Sequence, residues 1–260
     1  MRAPKTHSPI LWHFPGGPKW DESTQQQGKE RKTDAEAYDI LLKIIKSRHL
    51  KLGPYKEKIS NRFPKLALRK NPLGIIETGY EEQFLAMETK PVVCVADIPI
   101  SELGFHSQRY GRVALGFRRE DLMTFGFNPV LYVPETSNLA SDLVRMHISC
   151  YHLTAHADVI SQADLGRKQV LLGSFCEDLF DNLMDIISYA KPIPPDQFEE
   201  IFSEREWRTA IQYNFVPESL AMLLLPQDVK EDFVRRDSKI LGFPDSVEVK
   251  SWEEEVDAKQ

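Results

Sequence analysis

The sequence predicts an α+β fold built on one mixed sheet with a helical insertion. Three observations predict it. Short β-branched or alternating runs occur at both ends and in the middle of the chain. Two long segments of helical periodicity fall between them, within about 137–190. Pro/Gly punctuation separates the runs without any internal repeat. The expected organisation is a single domain over 8–240 followed by an acidic flexible tail over 241–260.

Ile10 to Phe14 reads as a short buried strand closed by Pro15-Gly16-Gly17-Pro18, a strong turn signal. Lys19 to Lys32 is polar and is expected to be a mobile loop. Thr33 is an N-cap with Asp34 and Glu36 in the first turn. Tyr38, Leu41, Leu42 and Ile45 then follow at helical spacing, so Asp34 to about Ser47 is a helix. Gly53-Pro54 and Asn71-Pro72 punctuate a segment expected to be irregular. Pro91 to Val95 is a central strand ended by Asp97-Ile98-Pro99, and Ser101 caps a short helix toward Phe105. Arg112 to Phe117 alternates as a strand, Arg119 to Thr124 is a brief helix, and Val130 to Val133 is another buried strand.

Ser137 to Ala163 and Gly173 to Tyr189 are the helical insertion, stopped by Lys191-Pro192-Ile193-Pro194-Pro195. Trp207 to Tyr213 and Ser219 to Leu225 are strands, and Pro226 to Arg236 is a last helix. The tail beyond Pro244 is charged and expected to fray.

An apolar fraction of 42% supports an ordinary core. No apolar run reaches the length that spans a bilayer, and residues 1–7 lack a signal-peptide hydrophobic region. Cys94, Cys150 and Cys176 are an odd number in apolar surroundings, which fits buried thiols of a reducing cytoplasm. The net charge of −6 is unevenly spread. Lys43, Lys46, Arg48, Lys51, Lys56, Lys58, Arg62, Lys65, Arg69 and Lys70 face a single acid, Glu57, within 43–70. Such a stretch meets phosphate groups of a nucleotide, a nucleic acid or an acidic partner, or docks on the protein's own acidic surface.

The chemistry-bearing residues concentrate in Ser203-Glu204-Arg205-Glu206-Trp207-Arg208. In an extended segment Glu204 and Glu206 point to one face. Two carboxylates that close do not ionise independently, so one serves as acid, base or cation stabiliser; the alternative is a charged surface strand. His13, where the first strand meets the Gly/Pro loop, offers a hydrogen bond to a ribose or amide, with Trp12 and Phe14 as stacking rings, or is a structural histidine. His106, Arg109 and Tyr110 gather before Gly111 as phosphate contacts and a stacking ring, or as a helix-to-strand turn. His147, His152 and His156 share a helix, but Leu153 stands where a His-Glu-x-x-His site needs its glutamate, so no metal is expected. Phosphate-loop, dinucleotide and nucleophile-elbow motifs are absent.

The order Leu11-Trp12-His13-Phe14, Val93 to Pro99, His106 with Tyr110-Gly111, Asn128 to Val133, Lys191-Pro192 and Glu204-Arg205-Glu206-Trp207-Arg208 resembles the AbiGi-type antitoxin family of abortive-infection phage-resistance systems. The resemblance covers about 10–215. That family in turn resembles the ADP-ribosyltransferase fold, which implies a mixed, mostly antiparallel sheet and NAD as co-substrate. Carried over, His13 holds the nicotinamide ribose, Glu206 stabilises the ribosyl cation and Glu204 assists. Phe14, Tyr110, Arg109 and Arg208 complete the cofactor contacts. Pro15 and Ala96 stand where the resemblance implies Thr and Ser, so the middle member of the triad is unassigned, and Tyr110 or Tyr132 substitutes only if the fold brings it inward. The implied activity is ADP-ribosyl transfer to a macromolecular acceptor. The alternative is a non-catalytic antitoxin or phage sensor that binds a toxin or phage protein. A nucleic-acid regulator using 43–70 ranks below both.

Overall fold

The computed structural model describes residues 8–24, 26–54, 56–70, 76–161, 167–197 and 203–259. Along the chain, β1 (Ile10–His13) leads into the hairpin β2 (Pro18–Asp21) and β3 (Gln26–Arg31), then α1 (Asp34–Ser47) and β4 (His49–Leu50). The long strands β5 (Lys58–Lys70) and β6 (Ile76–Glu88) precede β7 (Val93–Ala96), α2 (Leu103–Tyr110), β8 (Ala114–Arg118) and α3 (Arg119–Phe125). Next come β9 (Asn128–Pro129), β10 (Leu131–Pro134), α4 (Asn138–Ser161), α5 (Arg167–Ser188) and β11 (Ala190–Ile193). The order closes with β12 (Glu206–Thr209), β13 (Tyr213–Asn214), β14 (Leu220–Leu225), α6 (Gln227–Asp232), β15 (Glu248–Ser251) and α7 (Trp252–Glu255).

The chain divides into two units. The first comprises Met1–Tyr55, Pro91–Val130 and Glu200–Gln260, and the second Lys56–Lys90 and Leu131–Glu199. The first unit carries a seven-stranded sheet in the order β15-β14-β8-β1-β7-β12-β9. Every pairing in it is antiparallel except β14 with β15. The fold is thus mixed α+β with a mostly antiparallel sheet.

Alternation along the strands sorts the side chains onto two faces. Leu11, Val93, Val95, Leu115, Phe117, Leu223 and Leu225 form one core with Ala37, Leu41 and Ile45 of α1. Trp12, Ala96, Ala114 and Leu224 form the other with Leu103 of α2 and Trp252 of α7. Helix α1 begins and ends where the sequence expects. Thr33 accepts from the Glu36 amide while the Glu36 carboxylate accepts from the Thr33 amide, a complete capping box. Those contacts and Lys19 hold the Glu36 carboxyl down to about 2.

In the second unit, β5 and β6 form an antiparallel pair over 13 residues each. β10 and β11 run parallel to one another. Helices α4 and α5 bury Ala140, Leu143, Val144, Leu183, Met184 and Ile187 against Ile59, Met87 and Val133.

Four expectations differ from what is observed. Residues 19–32 form the β2–β3 hairpin instead of a mobile loop. The turn is made by the Asp21 carboxylate, which accepts from the Ser23 and Thr24 amides and so replaces a Gly/Pro signal. The second half of 43–70 is a strand instead of irregular chain, because β6 pairs with it along its whole length, with Lys58 opposite Glu88 at one end. The strand at 131–134 pairs with β11 rather than joining the seven-stranded sheet. Beyond Pro244, β15 extends the sheet edge and Trp252 is 1% exposed, so an indole and a β-strand pairing hold a segment whose charge reads as a tail.

Candidate functional site

Strand β12 positions the glutamate motif. Ala96 of β7 stands opposite both Trp12 of β1 and Glu206, so Trp12, Ala96 and Glu206 form one lateral row on one face of the sheet. Arg208, two residues on, shares that face. Its Nε donates to Glu206 Oε1 at 2.6 Å and its Nη2 to Oε2 at 3.1 Å, a two-pronged buried ion pair. Arg208 is 1% exposed and Glu206 is 8% exposed.

Glu204 does not share this arrangement. Arg205 has φ +44°, in the left-handed region, and strand β12 starts only after it. The two-residue alternation that puts Glu204 beside Glu206 is therefore interrupted. Glu204 is buried and turns to α2, where the Tyr110 hydroxyl donates to its Oε1 at 2.9 Å and Arg109 Nη1 lies 3.2 Å away. Each carboxylate has its own cation, so the coupled-pair expectation does not describe this motif.

His13 lies on the other face. It stands opposite Leu115 and shares parity with Leu11, both members of the α1-side core. Its Nδ1 is 3.1 Å from the Cys94 carbonyl. Desolvation lowers its pKa, the carbonyl contact opposes this, and nearby Lys32 adds to the lowering. A single imidazole–carboxylate cleft is therefore absent: β7 separates the strands, and the two side chains leave the sheet in opposite directions.

Five of the sequence-predicted residues do converge. The Phe14 ring centroid is 4.7 Å from that of His106 and 6.3 Å from that of Tyr110, while His106 stacks on Tyr110 at 4.4 Å. The Arg109 guanidinium lies 5.6 Å from the Tyr110 ring centre. With Glu204 they form one cluster on α2. The Gly/Pro loop makes this packing feasible, since a Cβ on Gly16 would sit 2.6 Å from the Tyr110 carbonyl oxygen. Gly111, at φ +80°, ends α2 beside it. A cleft of about 310 Å3 opens next to the cluster, lined by Ile98, Glu102, Phe105, His106 and Ser203. Its volume is at the lower limit of small-molecule sites.

Asp97 is a member of the site that sequence reasoning missed. Buried at the end of β7, it pairs with Arg119 and lies 3.7 Å from Arg205 Nη2, and its amide donates to the Arg205 carbonyl. Arg119 also sits 5.1 Å from the Trp207 ring centre. The one available signal was an aspartate directly after an apolar strand, which needs a cation when buried. Tyr132 belongs to the second unit, in β10. Of the basic stretch, Lys43 to Lys51 belong to the first unit and Lys56 to Lys70 to the second. Among the described residues no group of three or more His, Cys, Asp or Glu is arranged to hold a metal ion, and no helix is long and apolar enough to cross a membrane.

The model of the protein family described as "Putative abortive phage resistance protein AbiGi, antitoxin" matches residues 75–239, which contain Tyr110, Arg109, Glu204, Glu206 and Arg208. The chain belongs to this family. His13 and Phe14 precede the matched span. No curated protein and no solved structure matches the chain.

Proposed function

We propose that this AbiGi-family chain is the antitoxin of an abortive phage-resistance system and acts by binding a protein partner, without turning over NAD. The observation that carries the proposal is the family match over 75–239. Two features of the fold support its non-catalytic form. Both Glu206 oxygens accept from Arg208, which makes that carboxylate an internal counter-ion. His13 lies on the α1-side face of the sheet, opposite the face that carries Glu206.

The ADP-ribosyltransferase-like reading draws on the mostly antiparallel sheet with an imidazole on an early strand and a carboxylate on a late one. It needs NAD held between His13 and Glu206, with Glu204, Tyr110, Arg109 and Arg208 around it. Oxocarbenium stabilisation requires a carboxylate aimed at the developing charge, and Glu206 is instead aimed at a guanidinium. The geometry therefore favours the binding reading.

The test is affinity capture from the native host to obtain a stoichiometric partner, followed by expression of that partner alone. Growth arrest by the partner, relieved equally by the chain and by its His13→Gln variant, supports the proposal. No relief, or relief that needs His13 and is accompanied by nicotinamide release, contradicts it.

A further inference from the structure

Helix α5 of the second unit has a second apolar face. Leu183, Met184 and Ile187 turn into the unit's core, and Cys176 is buried. Phe175, Leu179 and Ile186 do not: they are 62%, 40% and 66% exposed. With Asn182 they fall at steps of four, three and four residues, the alternation of a two-stranded coiled-coil seam. One apolar stripe suffices to hold a helix on its core; the second stripe faces solvent in the isolated chain.

Charge identifies the occupant. Glu177, Asp178, Asp181 and Asp185 run along the exposed side of α5. Lys90 lies 2.6 Å from Asp185 and 3.9 Å from Asp181, which leaves this side of the helix negative in sum. In an antiparallel pairing of two copies, Asp178 of one would face Asp185 of the other, and like charges at flanking positions disfavour such a seam. We infer that the outer face of α5 docks a partner helix carrying an apolar heptad seam flanked by Lys or Arg. The inference rests on the partner-binding reading above and specifies the partner's chemistry. Asn182, polar within the seam, sets the register.

The test uses synthetic helical peptides of about four heptads, with Leu at the seam and either Lys/Arg or Glu at the flanks, titrated onto the full chain by fluorescence anisotropy. The basic peptide is expected to bind about ten-fold or more tighter than its acidic twin. Leu179→Ser/Ile186→Ser is expected to weaken it by about ten-fold or more with an unchanged circular-dichroism spectrum. If that variant loses helical signal, Ile186→Lys alone makes the same comparison. Equal affinity of wild type and variant, or of the two peptides, overturns the inference. So does a wild-type dimer in sedimentation that the variant abolishes. These outcomes are independent of growth rescue and nicotinamide release, which decide the broader reading.

Discussion

Replacing Arg208 by Met isolates the role of the glutamate motif. The guanidinium is 1% exposed and satisfies both oxygens of a carboxylate that is 8% exposed. Methionine fills much of the same volume, so the loss is electrostatic more than steric. It removes the guanidinium from which both Glu206 oxygens accept, and breaking a buried pair from one side costs about 3–5 kcal/mol. The double variant Glu206→Leu/Arg208→Met removes both charges and is expected to recover most of that loss. Urea denaturation of the four proteins of the cycle gives the coupling energy directly. A cost below about 1 kcal/mol for Arg208→Met, or simple additivity in the double variant, would refute the argument that Glu206 is a structural counter-ion.

Three further outcomes follow from the same contacts. His13 is held neutral in the fold below the ordinary histidine value, chiefly by desolvation; the unfolded chain therefore binds its proton first as pH falls, and stability drops. Wild type is expected to lose more urea resistance than His13→Gln between about pH 7.5 and 5.5, and equal losses would contradict this. Tyr110→Phe removes the hydroxyl that donates to buried Glu204 and is expected to cost about 1.5–3 kcal/mol, read from the denaturation midpoint. Trp252→Ala empties a fully buried site in the acidic C-terminal segment and is expected to cost about 3–5 kcal/mol; a change under 1 kcal/mol would mean that the segment is a dispensable tail.

Local chemistry made much of the first unit legible. Thr33 and Glu36 announce the start of α1, and the β-branched run at 92–95 announces a central strand. The alternation of Val113, Leu115 and Phe117 predicts β8, which the structure starts at Ala114. What the sequence could not convey was pairing. The basic strand β5 looks irregular until its register with β6 is known. The β2–β3 turn is made by one aspartate side chain, without the usual Gly or Pro. At the site, His106, Arg109 and Tyr110 gather before Gly111 in the sequence itself, whereas Phe14 and Glu204 join them only through the fold. The opposite facing of His13 and Glu206 was not legible either. It depends on register, where a one-residue step reverses the face a side chain occupies; the parting of Glu204 from Glu206 depends in turn on the positive φ of Arg205, which no residue type at that position announces.

Nicotinamide release from labelled NAD by the purified chain, alone and with host lysate, tests the central claim most directly. No release above the protein-free blank is predicted, because the imidazole and the carboxylate that would flank the scissile bond leave the sheet on opposite faces. Release that disappears in both His13→Gln and Glu206→Gln proteins, with their folds intact, would contradict it.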